Sequence, residues 1–155
     1  MMGPMLIESL LAYAHFIAIL SVVVFLSSEA ALCRPEWLNA EVVRRLVRVD
    51  AIYFAAAMAV LATGVARTWW GMKGTGWYWH QPLLHAKLGL FVLIGLVSIK
   101  PTRSFQRWRR ELDATGRLPS ADEVRGVRKL IMLEAHLLVL IPAAAVLLAR
   151  GVWTR

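Results

Sequence analysis

Long apolar segments alternate with shorter polar ones along the whole chain, and this pattern predicts a helical membrane protein. Four segments contain almost only apolar side chains, and each is close to the roughly 20 residues that a membrane-spanning helix needs. With their flanking turns they predict four transmembrane helices, at residues 5–28, 49–67, 82–100 and 129–150. The chain is then a single transmembrane domain, residues 1–155, folded as an all-α four-helix bundle.

Composition supports the membrane assignment and excludes some kinds of site. Hydrophobic residues make up 59% of the 155 residues and charged residues 18%, whereas soluble domains carry about 25% charged residues. The single cysteine, Cys33, excludes a disulfide framework and a cysteine-rich metal site.

The basic residues are unevenly distributed between the two ends of the predicted bundle. Of the 18 Lys and Arg residues, 13 lie in the connections after the first and third spans. The positive-inside rule places these connections in the cytoplasm and both termini outside. We therefore expect the net charge of +8 to favour anionic lipid at the cytoplasmic face, with no nucleic-acid partner.

The polar connections contain signals for where helices begin and end. Asn39 is placed to cap the helix that leads into the second span, and Ser120 with Glu123 forms a capping box before the fourth. Pro101 predicts the end of the third span. The basic segment 102–113 after it predicts a separate amphipathic helix lying on the cytoplasmic leaflet.

That segment has its large apolar residues at helical spacing, namely Phe105, Trp108 and Leu112. On a membrane-surface helix, these side chains would enter the lipid while the arginines face the headgroups.

Ionisable residues within the spans are the candidate functional residues, because an ionisable group at bilayer depth is energetically unfavourable. They are His15, His85, Lys87, Glu134 and His136. Neutral imidazole in a helical bundle is the usual axial ligand of haem iron, so the three histidines are candidate metal and haem ligands. His15 is the leading one, and His85 or His136 would be the second.

Charged residues near the histidines complete the predicted site. Arg67, Arg128 and Lys87 can pair with haem propionates or with a quinone or porphyrin substrate. Lys87 and Glu134 are the candidate catalytic residues.

Each of these residues also has a structural interpretation. His15 can serve as an interhelical hydrogen-bonding residue, and His85 can lie at headgroup depth. Lys87 can extend its ammonium group to the interface, and Glu134 can neutralise Arg128 or Lys129 one turn away. No spacing among them names a metal.

Several short motifs make the chain similar to an uncharacterised bacterial family of four-helix membrane proteins within the CopD-like superfamily. The motifs are His15, Arg48-Val49-Asp50, Gly64 with Arg67, His80-Gln81-Pro82, Ala86-Lys87-Leu88, Pro101-Thr102 and Glu134. The resemblance covers essentially the whole chain. It implies a multi-pass protein of the bacterial inner (cytoplasmic) membrane, and the family has no assigned activity.

A more distant resemblance is to the HemJ-type protoporphyrinogen oxidases of the same superfamily. Segment 15–21 resembles their first helix, Leu84-His85-Ala86-Lys87-Leu88 their third, and Glu134 stands where their fourth helix begins. The resemblance implies b-type haem and porphyrin oxidation. The chain departs from their pattern at residues 22–25, where a Trp-Met-x-Gly motif is absent, and it lacks a Glu-x-Pro motif before the fourth span.

The residues and the resemblance together predict a membrane protein, expected to be a homo-oligomer, that binds b-type haem. It would act as a redox protein or oxidoreductase with a quinone or porphyrin in the bilayer. The alternatives are a copper-binding or transport module and a non-catalytic membrane partner subunit.

Overall fold

The computed structural model describes residues 3–70 and 82–150, and these residues form four long helices. They are α1 (Pro4–Leu32), α2 (Ala40–Trp70), α3 (Pro82–Thr115) and α4 (Ala121–Ala149). A single 3-10 turn, Pro35–Trp37, connects α1 to α2. The described part of the chain is all-helical, as predicted.

The helices pack as two hairpins. α1 lies against α2 and α3 against α4, and narrower α2–α3 and α1–α4 contacts join the two hairpins. We call the end with the α1–α2 and α3–α4 connections the basic end, and the end with the α2–α3 connection the opposite end.

Three helices are long and apolar enough to cross a membrane, over Met5–Leu32, Ala40–Arg67 and His85–Thr115. Large apolar side chains on their outer faces are exposed, which is typical of helices that contact lipid. The fourth span, at 129–150, and the outward location of both termini stay predictions.

The helix ends near the basic end have the predicted caps. The Asn39 side chain accepts a hydrogen bond from the Val42 backbone N–H at 2.9 Å, and Ser120 accepts one from the Glu123 N–H at 3.2 Å. Gly116, with φ +73°, follows α3 in the left-handed conformation that commonly ends a helix.

The predicted end of α3 at Pro101 is wrong, because the helix continues through Pro101 to Thr115. Proline removes one backbone hydrogen bond inside a helix. Here that loss is offset by burial, since Pro101 packs inside the bundle and the next turns bury two aromatic rings.

The predicted surface helix at 102–113 is therefore an extension of α3, and its apolar face packs on protein. Phe105 and Trp108 are both 0% exposed, with ring centroids 5.6 Å apart in an edge-to-face arrangement. The Trp108 indole N–H donates to Glu123 on α4 at 3.3 Å. These contacts leave neither aromatic ring free to enter lipid.

The hydrophobic core lies mainly at the basic end. Its fully buried members are Leu26, Cys33, Val43, Leu46, Phe105, Trp108, Val124 and Ile131. Towards the opposite end the helices bury fewer side chains, so His15 lies in the less densely packed half.

Candidate functional site

The polar side chains that the helices enclose form two separate groups. The first, which we call the His15 group, comprises His15, Thr63, Gly64, Arg67 and Lys87 and lies in the half near the opposite end. The second, the carboxyl cluster, comprises Glu29, Asp50 and Glu134 and lies near the basic end. His15 and Glu29 are fourteen residues apart on α1, which is about 21 Å at 1.5 Å per residue.

His15 joins α1 to α2 through a hydrogen bond between its Nδ1 and Thr63 Oγ1 at 2.7 Å. The Thr63 hydroxyl is also placed to donate its one hydrogen to the Ala59 carbonyl at 2.7 Å or to the Val60 carbonyl at 3.2 Å, the usual acceptors of a helical threonine. In that arrangement Thr63 accepts from His15 Nδ1, and the Nε2 lone pair is left to bind a metal or a proton.

Gly64 provides the space beside the His15 ring. A Cβ atom at this position would lie 3.3 Å from His15 Cε1, closer than most side-chain contacts allow. A glycine here therefore lets the α1 imidazole lie directly against the α2 backbone.

Two cationic residues surround the ring. Arg67 on α2 and Lys87 on α3 are half-buried, and both interact electrostatically with His15. Because both charges are positive, this part of the bundle suits an anionic group such as a carboxylate.

A cleft of about 240 Å³ lies next to this group, lined by Met5, Glu8, Ser9, Ala12 and Arg67. Glu8 Oε2 is buried there without a hydrogen-bond partner in the described part of the chain. Pockets for large ligands usually measure about 300–1,000 Å³, so this cleft alone is small for a cofactor.

His85 and His136 are not brought to His15. Both side chains are exposed, on α3 and α4, and His136 Nδ1 donates to the Met132 carbonyl of its own helix at 2.5 Å. Each is two residues from an inward-pointing partner, Lys87 and Glu134, and two residues turn a helix by roughly 200°.

The level of each histidine follows from the register of the bundle. Three contacts set this register: His15 with Thr63, Asp50 with Thr102, and Trp108 with Glu123. At 1.5 Å per residue, His136 lies about 9 Å nearer the basic end than His15, and His85 about 6 Å nearer the opposite end. Because both residues are exposed and lie at other levels of the bundle, neither is beside His15.

Arg128 and Glu134 belong to the basic end, and the structure does not bring them together with His15 or Lys87. Arg128 donates a hydrogen bond to the Ala30 carbonyl, next to Glu29 in sequence. Glu134 is 0% exposed and close to Tyr53. Of the residues predicted to share one site, the structure groups only His15, Arg67 and Lys87.

The carboxyl cluster is built from three helices. Glu29 of α1, Asp50 of α2 and Glu134 of α4 are 1%, 5% and 0% exposed. The Thr102 hydroxyl donates to Asp50 Oδ2 at 2.7 Å, and the Tyr53 hydroxyl lies 3.5 Å from Glu134 Oε1.

The sequence gives only weak signals for this cluster. Glu29 and Asp50 lie at the ends of apolar segments, where they resemble ordinary boundary residues. Thr63 and Thr102 are hydroxyl residues without a distinctive spacing, and only the packing of α2 against α1 and α3 shows which side chains they bind.

Metal ligation by several protein side chains has no further support. Residues 3–70 and 82–150 include no group of three or more His, Cys, Asp or Glu side chains placed to hold a metal ion. Haem needs no such cluster, because the porphyrin supplies four of the iron's ligands and a single imidazole such as His15 can supply a fifth.

Comparison with known families identifies the family of the chain. A family model described as "Predicted membrane protein (DUF2214)" matches residues 7–153. No curated protein and no solved structure matches the chain.

Proposed function

The chain belongs to the DUF2214 family of predicted membrane proteins, and from that premise we propose that it binds b-type haem for redox chemistry in the membrane. His15 is the proposed axial ligand. The observation that carries the proposal is the hydrogen bond between His15 Nδ1 and Thr63 on the second helix, because it holds the ring in one orientation and leaves the other ring nitrogen, Nε2, for a metal.

The surroundings of His15 suit this role in two further ways. Gly64 leaves room at the edge of the ring, and Arg67 and Lys87 supply positive charge near it. Haem carries two propionates, and guanidinium and ammonium groups are common partners of such carboxylates.

The residues fit one axial position better than two within a single chain. His85 and His136 are exposed and lie at other levels. His136 also bonds its Nδ1 to a carbonyl of its own helix. His15 is therefore the one axial ligand that we propose from this chain.

A bound haem would supply one-electron redox chemistry at its iron. The chain's own residues would orient and hold it. Thr63 would fix the orientation of the His15 imidazole, Gly64 would leave room for that ring, and Arg67 and Lys87 would pair with the propionates. An electron partner soluble in the bilayer, a quinone or a porphyrin, is the proposed substrate class.

The proposed relation to the CopD-like superfamily and the HemJ-type oxidases is supported by His15 and Lys87, which share one group. Glu134 adds no support to this relation, because it lies near the basic end and away from the His15 group. For this reason haem binding is a better-supported proposal than protoporphyrinogen oxidation.

The test is the absorption spectrum of the detergent-purified protein, produced with ample haem supply. We expect a Soret band that shifts on reduction with dithionite, and its loss in His15→Ala. His85→Ala is the matched control and should retain the band, since His85 is exposed and at another level.

Two other outcomes of this experiment would favour the alternative functions. Bound copper without a porphyrin spectrum would favour a copper-binding module. A colourless, metal-free protein that co-purifies with another membrane protein would favour a partner subunit, and either result would overturn the haem proposal.

A further inference from the structure

The carboxyl cluster has no role in the proposed haem site, from which it is about 21 Å away along α1. Its three members, Glu29, Asp50 and Glu134, are at most 5% exposed. Buried carboxylates are normally paired with cations or fully hydrogen-bonded, so their partners decide what the cluster can do.

Hydrogen bonding within the described part of the chain satisfies the cluster only in part. Asp50 accepts a bond from Thr102 at 2.7 Å. Glu134 has a long contact of 3.5 Å with the Tyr53 hydroxyl through Oε1, and its Oε2 has no partner. Both carboxyl oxygens of Glu29 are buried without a partner.

Glu29 points into the cluster. Its carboxyl group is close enough to Asp50 and Glu134 to interact with both electrostatically. An unpartnered and almost fully buried carboxyl group that faces two others indicates that a small ligand completes the site.

The groups that face the cluster do not balance its charge. Cys33 directly after α1, Tyr53 on α2 and Thr102 on α3 are neutral donors. On α4 the guanidinium of Arg128 is half-buried, and its described hydrogen bond goes to the Ala30 carbonyl. One cation at the edge cannot neutralise three buried carboxylates.

We propose that Glu29, Asp50 and Glu134 form a buried proton-binding site. The three carboxyl groups share the bound protons, and two of them, Glu29 and Glu134, have buried oxygens without a hydrogen-bond partner in the described part of the chain. Carboxyl groups this close titrate as one coupled set, so the bound protons belong to the cluster rather than to one residue.

The proton is favoured over a metal ion as the ligand. The described residues contain no set of three or more His, Cys, Asp or Glu side chains with the geometry to hold a metal. The cluster lies near the basic end, so its protons would exchange with the side of the membrane that the basic connections face. This inference does not depend on haem binding.

The test is infrared spectroscopy of the full-length protein in detergent. Exposed carboxyl groups are ionised at neutral and mildly alkaline pH, so a C=O stretching band of protonated carboxyl groups under these conditions reports buried ones. We expect this band in the unmodified protein, with a shift in D₂O.

Single substitutions then show which carboxyl groups produce the band. Glu29→Gln and Glu134→Gln keep the shape of a neutral carboxyl group, so each should remove part of the band while the protein stays folded. Glu36→Gln is the matched control, because Glu36 is exposed on the 3-10 turn, and it should leave the band unchanged. Glu8→Gln separates any contribution from the cleft near the opposite end.

Two results would overturn the proposal. The first is the absence of the band from the unmodified protein at neutral pH, a measurement that does not depend on how any variant folds. The second is a band that disappears when Na⁺ replaces a large organic cation at constant pH, because the site would then bind a metal cation.

Discussion

The imidazole Nδ1 of His15 on α1 is hydrogen-bonded to the hydroxyl of Thr63 on α2 across 2.7 Å. This contact links two helices, and it makes Nδ1 the donor when the Thr63 hydroxyl donates to the Ala59 or Val60 carbonyl of its own helix. It therefore connects the packing of the α1–α2 hairpin with the chemistry proposed for His15.

Replacing Thr63 with Val should affect stability slightly and haem binding strongly. Interhelical hydrogen bonds in membrane proteins contribute about 0.6 kcal/mol on average, whereas loss of a residue that orients a metal ligand lowers metal affinity by about 10–100-fold. Unfolding in detergent and haem titration measure the two effects.

Ser21→Ala is the control for Thr63→Val, because the Ser21 hydroxyl donates to the Ile17 carbonyl of its own helix and makes no interhelical bond among residues 3–70 and 82–150. It should change neither quantity. Equal losses of haem affinity in both variants would contradict the role given to Thr63.

A large side chain at Gly64 should displace the His15 ring. Gly64→Leu places atoms where a Cβ alone would be 3.3 Å from His15 Cε1, and overpacking typically costs about 1–3 kcal/mol. We expect loss of the Soret band together with lower stability. Gly95→Leu is the control, since a Cβ there meets nothing within 4 Å, and a loss as large in this variant would refute the steric explanation.

Much of the fold could be predicted from the sequence, because local patterns determine where helices begin. The caps at Asn39 and Ser120 depend only on neighbouring residues. The prediction at Pro101 is wrong for the opposite reason. The proline penalty is local, but the burial of Phe105 and Trp108 that offsets it depends on contacts with other helices.

The functional groups were predictable only as individual residues. His15 and Glu134 were recognisable as ionisable residues in apolar segments. Which of them lie together depends on the order and register of the helices around the bundle, and hydropathy does not specify either. The carboxyl cluster therefore could not be assembled from the sequence.

Trp108 should be a major contributor to stability, because its ring is buried in protein rather than in lipid. Trp108→Ala removes a side chain that is 0% exposed, and such truncations cost about 3–5 kcal/mol. Trp37→Ala, at a tryptophan that is 55% exposed, should cost about 1 kcal/mol or less. Similar midpoints of denaturant unfolding for the two variants would show that the α3 extension does not pack as described.

The Cys33 thiol should be unreactive in the folded protein. It is 0% exposed, and burial raises its pKa to about 12, so little of the reactive thiolate is present at neutral pH. Alkylation should be slower than in the unfolded chain by roughly a hundredfold or more. Equal alkylation rates before and after unfolding would contradict the burial of Cys33.

The most direct test of the central claim, that the His15 imidazole is a haem ligand, is the absorption spectrum of His15→Gly recorded with and without added imidazole. The account predicts that the variant lacks the Soret band of the unmodified protein and that imidazole restores it by occupying the vacated position. A Soret band of the same wavelength and intensity in His15→Gly without imidazole would contradict the claim, as would a colourless unmodified protein.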